Sequence, residues 1–182
     1  MKIALRAGIA ALALATAATP ALAKNPMVGG AAMYPTKNIV ANAVNSKDHT
    51  TLVAAVKAAG LVETLSGPGP FTVFAPTNAA FAKLPAGTVE TLVMPENKGT
   101  LTSILTYHVV AGRMTSADLM KAIKKGRGKA VLTTVNGAPL TASMMGRRIM
   151  LTDTKGGMSH VTIANVMQSN GVIHVVDGVV TP

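Results

Sequence analysis

The first half of the chain carries apolar side chains at helical spacing. A helix that begins near Thr36, a residue able to cap it, would place on one face Ile39, Val40, Ala43 and Val44. A second helix is expected after Asp48, with an apolar stripe formed by Leu52, Val53 and Val56. Gly60 stands where a left-handed residue commonly ends a helix, and Leu61 would then contact Val56.

Short β patterns and helix caps alternate in the middle of the chain. Residues 71–74 (FTVF) predict a strand, and Thr77 can cap a short helix that follows it. Residues 107–111 (YHVVA) favour a second strand. Thr115 and Asp118 match a capping box, which predicts the start of another helix.

Strand patterns dominate the last third of the chain. Residues 131–135 and 140–144 flank the dipeptide Asn136-Gly137, which favours a two-residue type I′ hairpin turn. The final pattern, residues 172–176, is apolar on both alternating faces, as is typical of a strand buried on both sides. Helices that come first and strands that come later predict a single α+β domain.

The first 23 residues have the three parts of an export signal. Lys2 and Arg6 form a basic start, residues 7–15 are apolar, and Ala21-Leu22-Ala23 places small residues before a cleavage site. The apolar run is well short of the roughly 20 residues that span a bilayer. We therefore expect residues 1–23 to be removed and the mature protein to be periplasmic or extracellular, without a transmembrane anchor.

Length and composition predict one domain that is stabilised by packing. The chain has 182 residues and no cysteine, which excludes a disulfide framework, a thiolate metal site and a cysteine nucleophile. Residues 24–35 (KNPMVGGAAMYP) are rich in glycine and proline and show no period. We expect them to form an extended lead-in to a domain of residues 36–182.

Three segments together resemble the fasciclin (FAS1) domain. Residues 71–81 (FTVFAPTNAAF) are similar to the family's first conserved block, 107–110 (YHVV) to its tyrosine–histidine motif, and 170–177 (NGVIHVVD) to its second block. The resemblance covers roughly residues 36–182 and is nearest to single-domain secreted bacterial members. It implies a compact wedge with a two-sheet, β-sandwich-like core and helices packed along one edge.

The resemblance gives the motif residues structural roles and implies adhesion rather than catalysis. Its motif positions are Phe71, Phe74, Pro76, Thr77, Asn78, Phe81, Asn170, Gly171, His174 and Asp177. The family often has aspartate where this chain has Asn78, so a carboxylate role is absent there. The integrin-related extensions of animal members have no match here, so the resemblance implies no integrin-ligand role.

Sequence motifs for catalysis and cofactor binding are missing from the chain. Its four histidines and seven carboxylates form no HExxH motif, no paired-histidine zinc spacing and no G-x-S-x-G elbow. Its glycines form neither a P-loop nor a dinucleotide-binding pattern. We therefore expect no catalytic residue, no metal site and no cofactor.

Polar residues within the motif segments admit two interpretations. His108 and His174 are expected to be buried, neutral and hydrogen-bonded, and the alternative is a paired metal or pH-sensing site. Asn170 is expected to satisfy backbone groups of its loop. Tyr107 fits a core role and a partner contact equally well, so Tyr107 and His108 are candidate partner-binding residues.

A basic segment follows the capping box. It contains Lys121, Lys124, Lys125, Arg127 and Lys129, and a predicted turn adds Arg147 and Arg148. The net charge of the chain is +10. One interpretation is a solvated helix face, and the other is attraction to an acidic polymer such as an anionic polysaccharide, lipid headgroups or extracellular DNA. Specific nucleic-acid recognition is not expected, because aromatic residues are few and no binding-module signature is present.

Methionine is unusually frequent, with 11 residues, among them Met27, Met33, Met144, Met145 and Met150. Gap filling in a core poor in aromatic residues is favoured over a thioether copper site.

The sequence thus predicts a secreted or periplasmic, non-catalytic adhesion-type module whose partner is a cell-surface or matrix protein or an acidic polysaccharide. The alternative is a soluble periplasmic carrier of a metal or small ligand that uses histidine and methionine.

Overall fold

The computed structural model describes residues 24–182, so the predicted export signal lies outside the described residues. The helices are α1 (Ile39–Ala43), α2 (Thr50–Ala59), α3 (Val62–Ser66), α4 (Asn78–Ala82), α5 (Thr88–Leu92), α6 (Lys98–Tyr107) and α7 (Ser116–Lys125). The strands are β1 (Met27–Val28), β2 (Ala31–Ala32), β3 (Phe71–Pro76), β4 (Val109–Ala111), β5 (Lys129–Thr133), β6 (Pro139–Met145), β7 (Arg148–Thr152), β8 (Met158–Gln168) and β9 (Gly171–Val176). In this part of the chain, every helix is too short or too polar to cross a bilayer.

Seven strands form a sheet in the order β4-β3-β9-β8-β7-β6-β5. β3 and β9 are parallel, and the other neighbours are antiparallel. β8 links two halves of the sheet, because residues 158–160 pair with β7 and residues 161–168 pair with β9. A bridge between Val110 and Thr134 brings the two outermost strands together. The α+β class is thereby confirmed.

Two apolar clusters fill the interior, one for each half of the sheet. The first lies between β3, β9 and the helices of the first half of the chain, and includes Leu52, Val73 and Leu105. The second lies between α7 and strands β5–β8, and includes Leu119 and Leu140. All six residues of β9 are buried, which confirms the prediction of a strand covered on both faces.

Local capping predictions are confirmed at three helices. Gly60 adopts a left-handed φ of 73° after α2, and the Leu61 N–H donates to the Val56 carbonyl at 3.0 Å. The Thr77 side chain accepts from a backbone N–H of α4. Thr115 and Asp118 form the reciprocal capping box of α7.

Four local predictions are wrong in detail. Asn38, rather than Thr36, caps α1 with its side chain, and the unpredicted helix α3 follows α2. Tyr107 is the last residue of α6 and not part of a strand. The β5–β6 loop has a positive φ at Gly137 but not at Asn136, so it is not a type I′ turn. The Asn136 side chain instead donates to the backbone and hydroxyl oxygens of Ser103, which holds this loop against α6.

Residues 24–35 differ from the expected extended lead-in. β1 and β2 form a short antiparallel pair, and Met33 donates its N–H to the Pro26 carbonyl. Val28 and Met33 are buried in the first apolar cluster. Apolar burial against the helices therefore orders a segment that has no periodic pattern of its own.

Candidate functional site

Parallel pairing of β3 and β9 brings the first and last motif segments side by side. Phe71 lies opposite Gly171, and Phe74 lies opposite His174. The rings of Phe74 and His174 stack with centroids 5.7 Å apart, and neither side chain is exposed. A Cβ at residue 171 would clash with the Phe71 carbonyl oxygen, so glycine allows the two strands to meet.

Tyr107 and His108 are buried, so neither can contact a partner on the surface of this fold. Tyr107 is 0% exposed, and its hydroxyl donates to the Pro139 carbonyl at 2.7 Å. His108 is 2% exposed and lies between the Ile104 carbonyl and the Val180 N–H. Their assignment as candidate partner-binding residues is therefore wrong, because hydrogen bonds to distant backbone groups turn both side chains inward.

The buried histidines are neutral, as expected from the sequence. Burial lowers the pKa of His108 to about 4. Its Nδ1–H then donates to Ile104 O at 2.9 Å, and its Nε2 accepts from Val180 N at 3.2 Å. Burial also lowers the pKa of His174, whose Nε2–H donates to Met114 O at 2.8 Å. Each imidazole thus fills a fixed position in the backbone hydrogen-bond network.

The motif asparagines also stabilise the backbone. Asn170 accepts from the Ile39 N–H and donates to the Leu65 and Gly67 carbonyls, at 2.8–3.0 Å, so it stabilises the backbone of distant segments rather than that of its own loop. Asn78 accepts from Thr51 N and donates to Lys47 O. An aspartate at residue 78 has no N–H to donate, so the amide suits this junction.

Other motif residues complete the same framework. Pro76 ends β3, and Phe81 is buried in the first apolar cluster. Asp177 follows β9 and accepts from the His160 N–H at 2.7 Å. The motif segments therefore build the frame of the fold and do not form an open binding site.

The exposed candidates lie on a different part of the molecule, which we call the basic surface. It consists of Lys121, Lys124, Lys125, Arg127, Lys129, Arg147 and Arg148. All seven residues are exposed, and within residues 24–182 none of them forms an ion pair. The strand register places Lys129 opposite Ser143 and Arg148 opposite Met145, which puts the Cα atoms of Lys129 and Arg148 about 12 Å apart. The register thus places Lys129 and Arg148, which are far apart in sequence, on one face of the sheet.

Asp118, the acidic residue nearest in sequence, forms no ion pair with the basic surface among the described residues. Asp118 lies one turn before Lys121, but its carboxylate accepts from the Thr115 N–H at 2.9 Å and from the Thr115 hydroxyl at 2.7 Å. The cap therefore orients this carboxylate toward the start of α7. The lysines follow at the other end of the helix, where cations are favoured by the helix dipole.

A small apolar cavity lies under α2 beside the first apolar cluster. Its volume is about 50 Å³, and its lining includes Leu52, Val56, Ile173 and His49. Small-molecule sites usually measure several hundred Å³. Burial lowers the pKa of His49, so its imidazole is neutral in this cavity. The cavity therefore gives little support to the alternative of a small-ligand carrier.

Sequence reasoning passed over His160, whose imidazole contacts a thioether. Its Nε2 lies 3.3 Å from Met145 Sδ, and its Nδ1 lies 3.5 Å from a carboxylate oxygen of Asp177. The alternation of β8 places Met158 and His160 on one face, a signal that was available in the sequence. Histidine, aspartate and glutamate do not by themselves form a metal-binding group of three within residues 24–182.

Comparison with known proteins identifies the family. The fasciclin domain model matches residues 47–182. This chain belongs to the fasciclin domain family. The structure of a FAS1 domain pair from the insect cell adhesion molecule Fasciclin I matches 78% of this chain and 50% of that chain, with a TM-score of 0.68 and 20% identity. At that identity the match shows the shared fold.

Relatives of this fasciclin domain include bacterial proteins. Protein sll1483 of Synechocystis sp. is 47% identical over 87% of this chain and 81% of that protein. The immunogenic protein MPB70 of Mycobacterium bovis is 36% identical over 97% of this chain and 92% of that protein. The cell surface glycolipoprotein MPB83 of the same species is 34% identical, over 88% of this chain and 62% of that protein.

Proposed function

We propose that this fasciclin domain is a non-catalytic, adhesion-type module of the cell envelope or extracellular matrix, and that its basic surface binds an acidic polysaccharide. The observation that carries the proposal is the group of seven exposed cations without an ion pair among the described residues. Fasciclin I is a cell adhesion molecule and MPB83 is a cell surface glycolipoprotein, which supports an adhesion or cell-surface role for this domain.

Charge and rigidity favour a polymeric partner. α7 and β5 are anchored by the buried residues Leu119, Ile123 and Leu132, so the cations project from fixed backbone. An anionic chain that crosses this surface would release its counterions to bulk solvent, which drives association at low salt. Single exposed ion pairs contribute little, so binding depends on several cations acting together.

Export belongs to the same proposal. The Ala21-Leu22-Ala23 sequence is the basis for cleavage after residue 23. The relative MPB83 is a cell surface glycolipoprotein, which supports export of this chain as well. The intact mass of the exported protein tests this step. A mass that retains residues 1–23 would contradict it.

Loss of three cations provides the test of the basic surface. Changing Lys121, Lys124 and Lys125 to glutamine keeps long side chains that suit a helix. We expect the triple variant to elute from an alginate or heparin column at lower salt than the wild type, because fewer counterions are released. Thermal unfolding should be nearly unchanged, since the three side chains are exposed.

A matched control separates the basic surface from net charge. Lys47, Lys57 and Lys98 are exposed lysines of the helical half of the molecule. Their combined replacement by glutamine removes the same charge and should leave elution close to that of the wild type. Equal elution of both triple variants would show that the column responds to total charge, and the proposed surface would be wrong.

A further inference from the structure

Three methionines share the solvent-facing side of strands β6–β8 with His160. Along these strands the alternate residues Ile149, Leu151 and Ser159 are buried. Met145 and Met158 are 59% and 63% exposed. Met150 is half-buried and lies directly opposite His160 in the register, while Met145 and Met158 lie diagonal to Met150. Gap filling therefore does not explain these thioethers.

Asp177 orients the imidazole of His160. One carboxylate oxygen accepts from the His160 backbone N–H at 2.7 Å, and the other lies 3.5 Å from Nδ1. A neutral imidazole carries one N–H, and the carboxylate favours that proton on Nδ1. The lone pair of Nε2 then points away from Asp177 and toward Met145. A carboxylate behind a histidine in this way is the usual arrangement at metal-binding histidines.

In that tautomer, two lone-pair donors face each other across the gap between His160 and Met145. Nε2 and Sδ are 3.3 Å apart. An ion bonded to nitrogen at about 2.0 Å and to sulfur at about 2.3 Å would hold these atoms about 3.3–3.5 Å apart at angles near 100–110°. The observed separation therefore suits a bridging cation without a backbone movement.

We propose that this face of the sheet binds one monovalent copper ion through His160 Nε2 and Met145 Sδ, with the thioether of Met150 as a third ligand. Thioethers are soft ligands that favour Cu(I) over zinc, calcium or magnesium. Met150 lies opposite His160 and diagonal to Met145 in the register, where Cβ atoms are about 4.5–5.5 Å and about 7–8 Å apart, so its long side chain is within reach of both.

Local charge is compatible with a monovalent ion. Arg148 lies opposite Met145 in the register and opposes any cation at this face, but its side chain is exposed and screened by water. The Asp177 carboxylate behind His160 offsets this repulsion. The copper site is independent of the polysaccharide proposal, since none of its ligands belongs to the basic surface.

Competition with a copper chelator tests the site. Purified protein is titrated anaerobically into Cu(I)–bathocuproine disulfonate in the presence of ascorbate. We expect the wild type to withdraw one equivalent of copper, and Met145→Leu and His160→Gln each to lower the affinity at least tenfold. Met94→Leu removes another exposed methionine, which lies between α5 and α6, and should bind copper as the wild type does.

Two further measurements make the result decisive. In the wild type, the methyl resonance of Met145 should shift on addition of Cu(I), which reports ligation without any substitution. Zn²⁺ should bind at least tenfold more weakly than Cu(I). No withdrawal of copper, equal affinity of wild type and Met145→Leu, an unshifted Met145 methyl group, or preference for Zn²⁺ would each overturn the proposal.

Discussion

Two regions of the molecule use their polar residues in opposite ways. In the motif core, between β3, β9 and the end of α6, His108, His174 and Asn170 are buried and bonded to backbone groups. On the basic surface, Lys121 and Arg148 are exposed and without an ion pair among the described residues. The residues that make the family recognisable thus hold the fold together, and the residues available to a partner carry no family motif.

The energetic consequence differs between the two regions. Loss of a buried polar partner leaves another group unsatisfied, which costs about 1–3 kcal/mol. Replacement of an exposed lysine usually changes stability by less than about 0.5 kcal/mol. Substitutions can therefore change the charge of the surface to suit one partner, while the buried residues of the motif core stay the same. A shared fold at 20% identity with a Fasciclin I domain pair is consistent with this division.

The largest expected effect is the loss of an aromatic ring in the motif core. Phe74 is 0% exposed and stacks on His174, so Phe74→Ala should lower the free energy of unfolding by about 3–5 kcal/mol. Chemical denaturation measures the change. Val131→Ala is the control, because Val131 is 69% exposed and its truncation should cost less than about 0.5 kcal/mol. Similar costs for both variants would remove the contrast between the regions.

The next effect is a loss of stability in acid caused by buried histidine. The pKa of His108 is about 4 in the folded state against 6.5 when exposed, so the unfolded chain binds the extra proton between these values. The free energy of unfolding is unaffected by this proton well above pH 6.5. It should be lower by about 2 kcal/mol at pH 5 and by roughly 3 kcal/mol at pH 4. Burial lowers the pKa of His49 and His174 as well, which adds to the loss.

Urea unfolding as a function of pH measures this effect. A His108→Gln variant should be less stable at pH 7 but should lose less on acidification than the wild type. Carboxylates titrate in both proteins, so the difference between the two profiles isolates the imidazole. Parallel profiles would show that His108 is already accessible to protons in the folded state.

The smallest effect distinguishes a core role of Tyr107 from a partner contact. Tyr107→Phe removes the hydrogen bond to the Pro139 carbonyl and should cost about 1–2 kcal/mol of stability. Its elution from the alginate column should equal that of the wild type, because the side chain is not exposed. Reduced retention of a folded Tyr107→Phe protein would place part of the binding surface at this motif.

Helix caps were predictable because their interactions are local. Thr115 and Asp118 are three residues apart, and the bond from Leu61 to Val56 closes a single helical turn. The double-sided apolar pattern of β9 likewise predicted its burial. Each of these features depends on residue types a few positions apart, so neighbours in the chain are sufficient to determine it.

Contacts across long sequence separations were not predictable in this way. The Asn136-Gly137 dipeptide favours a type I′ turn, but Asn136 is held by Ser103 of α6 instead. Tyr107 bonds Pro139, 32 residues away, and His108 bonds Val180, 72 residues away. Tertiary contacts of this kind override local turn and strand propensity, because they satisfy polar groups that burial would otherwise leave unpaired.

The sequence alone determined the α+β class, the family resemblance, the helix caps and the cationic character of residues 121–129. Only the tertiary structure decided which polar residues are available to partners and metals. It turned Tyr107 inward, placed Arg148 on the same face of the sheet as Lys129, and placed His160 between Met145 and Asp177. The physical reason is that strand register and packing set the exposure and distance of residues far apart in the chain, and neither quantity is encoded in a local pattern.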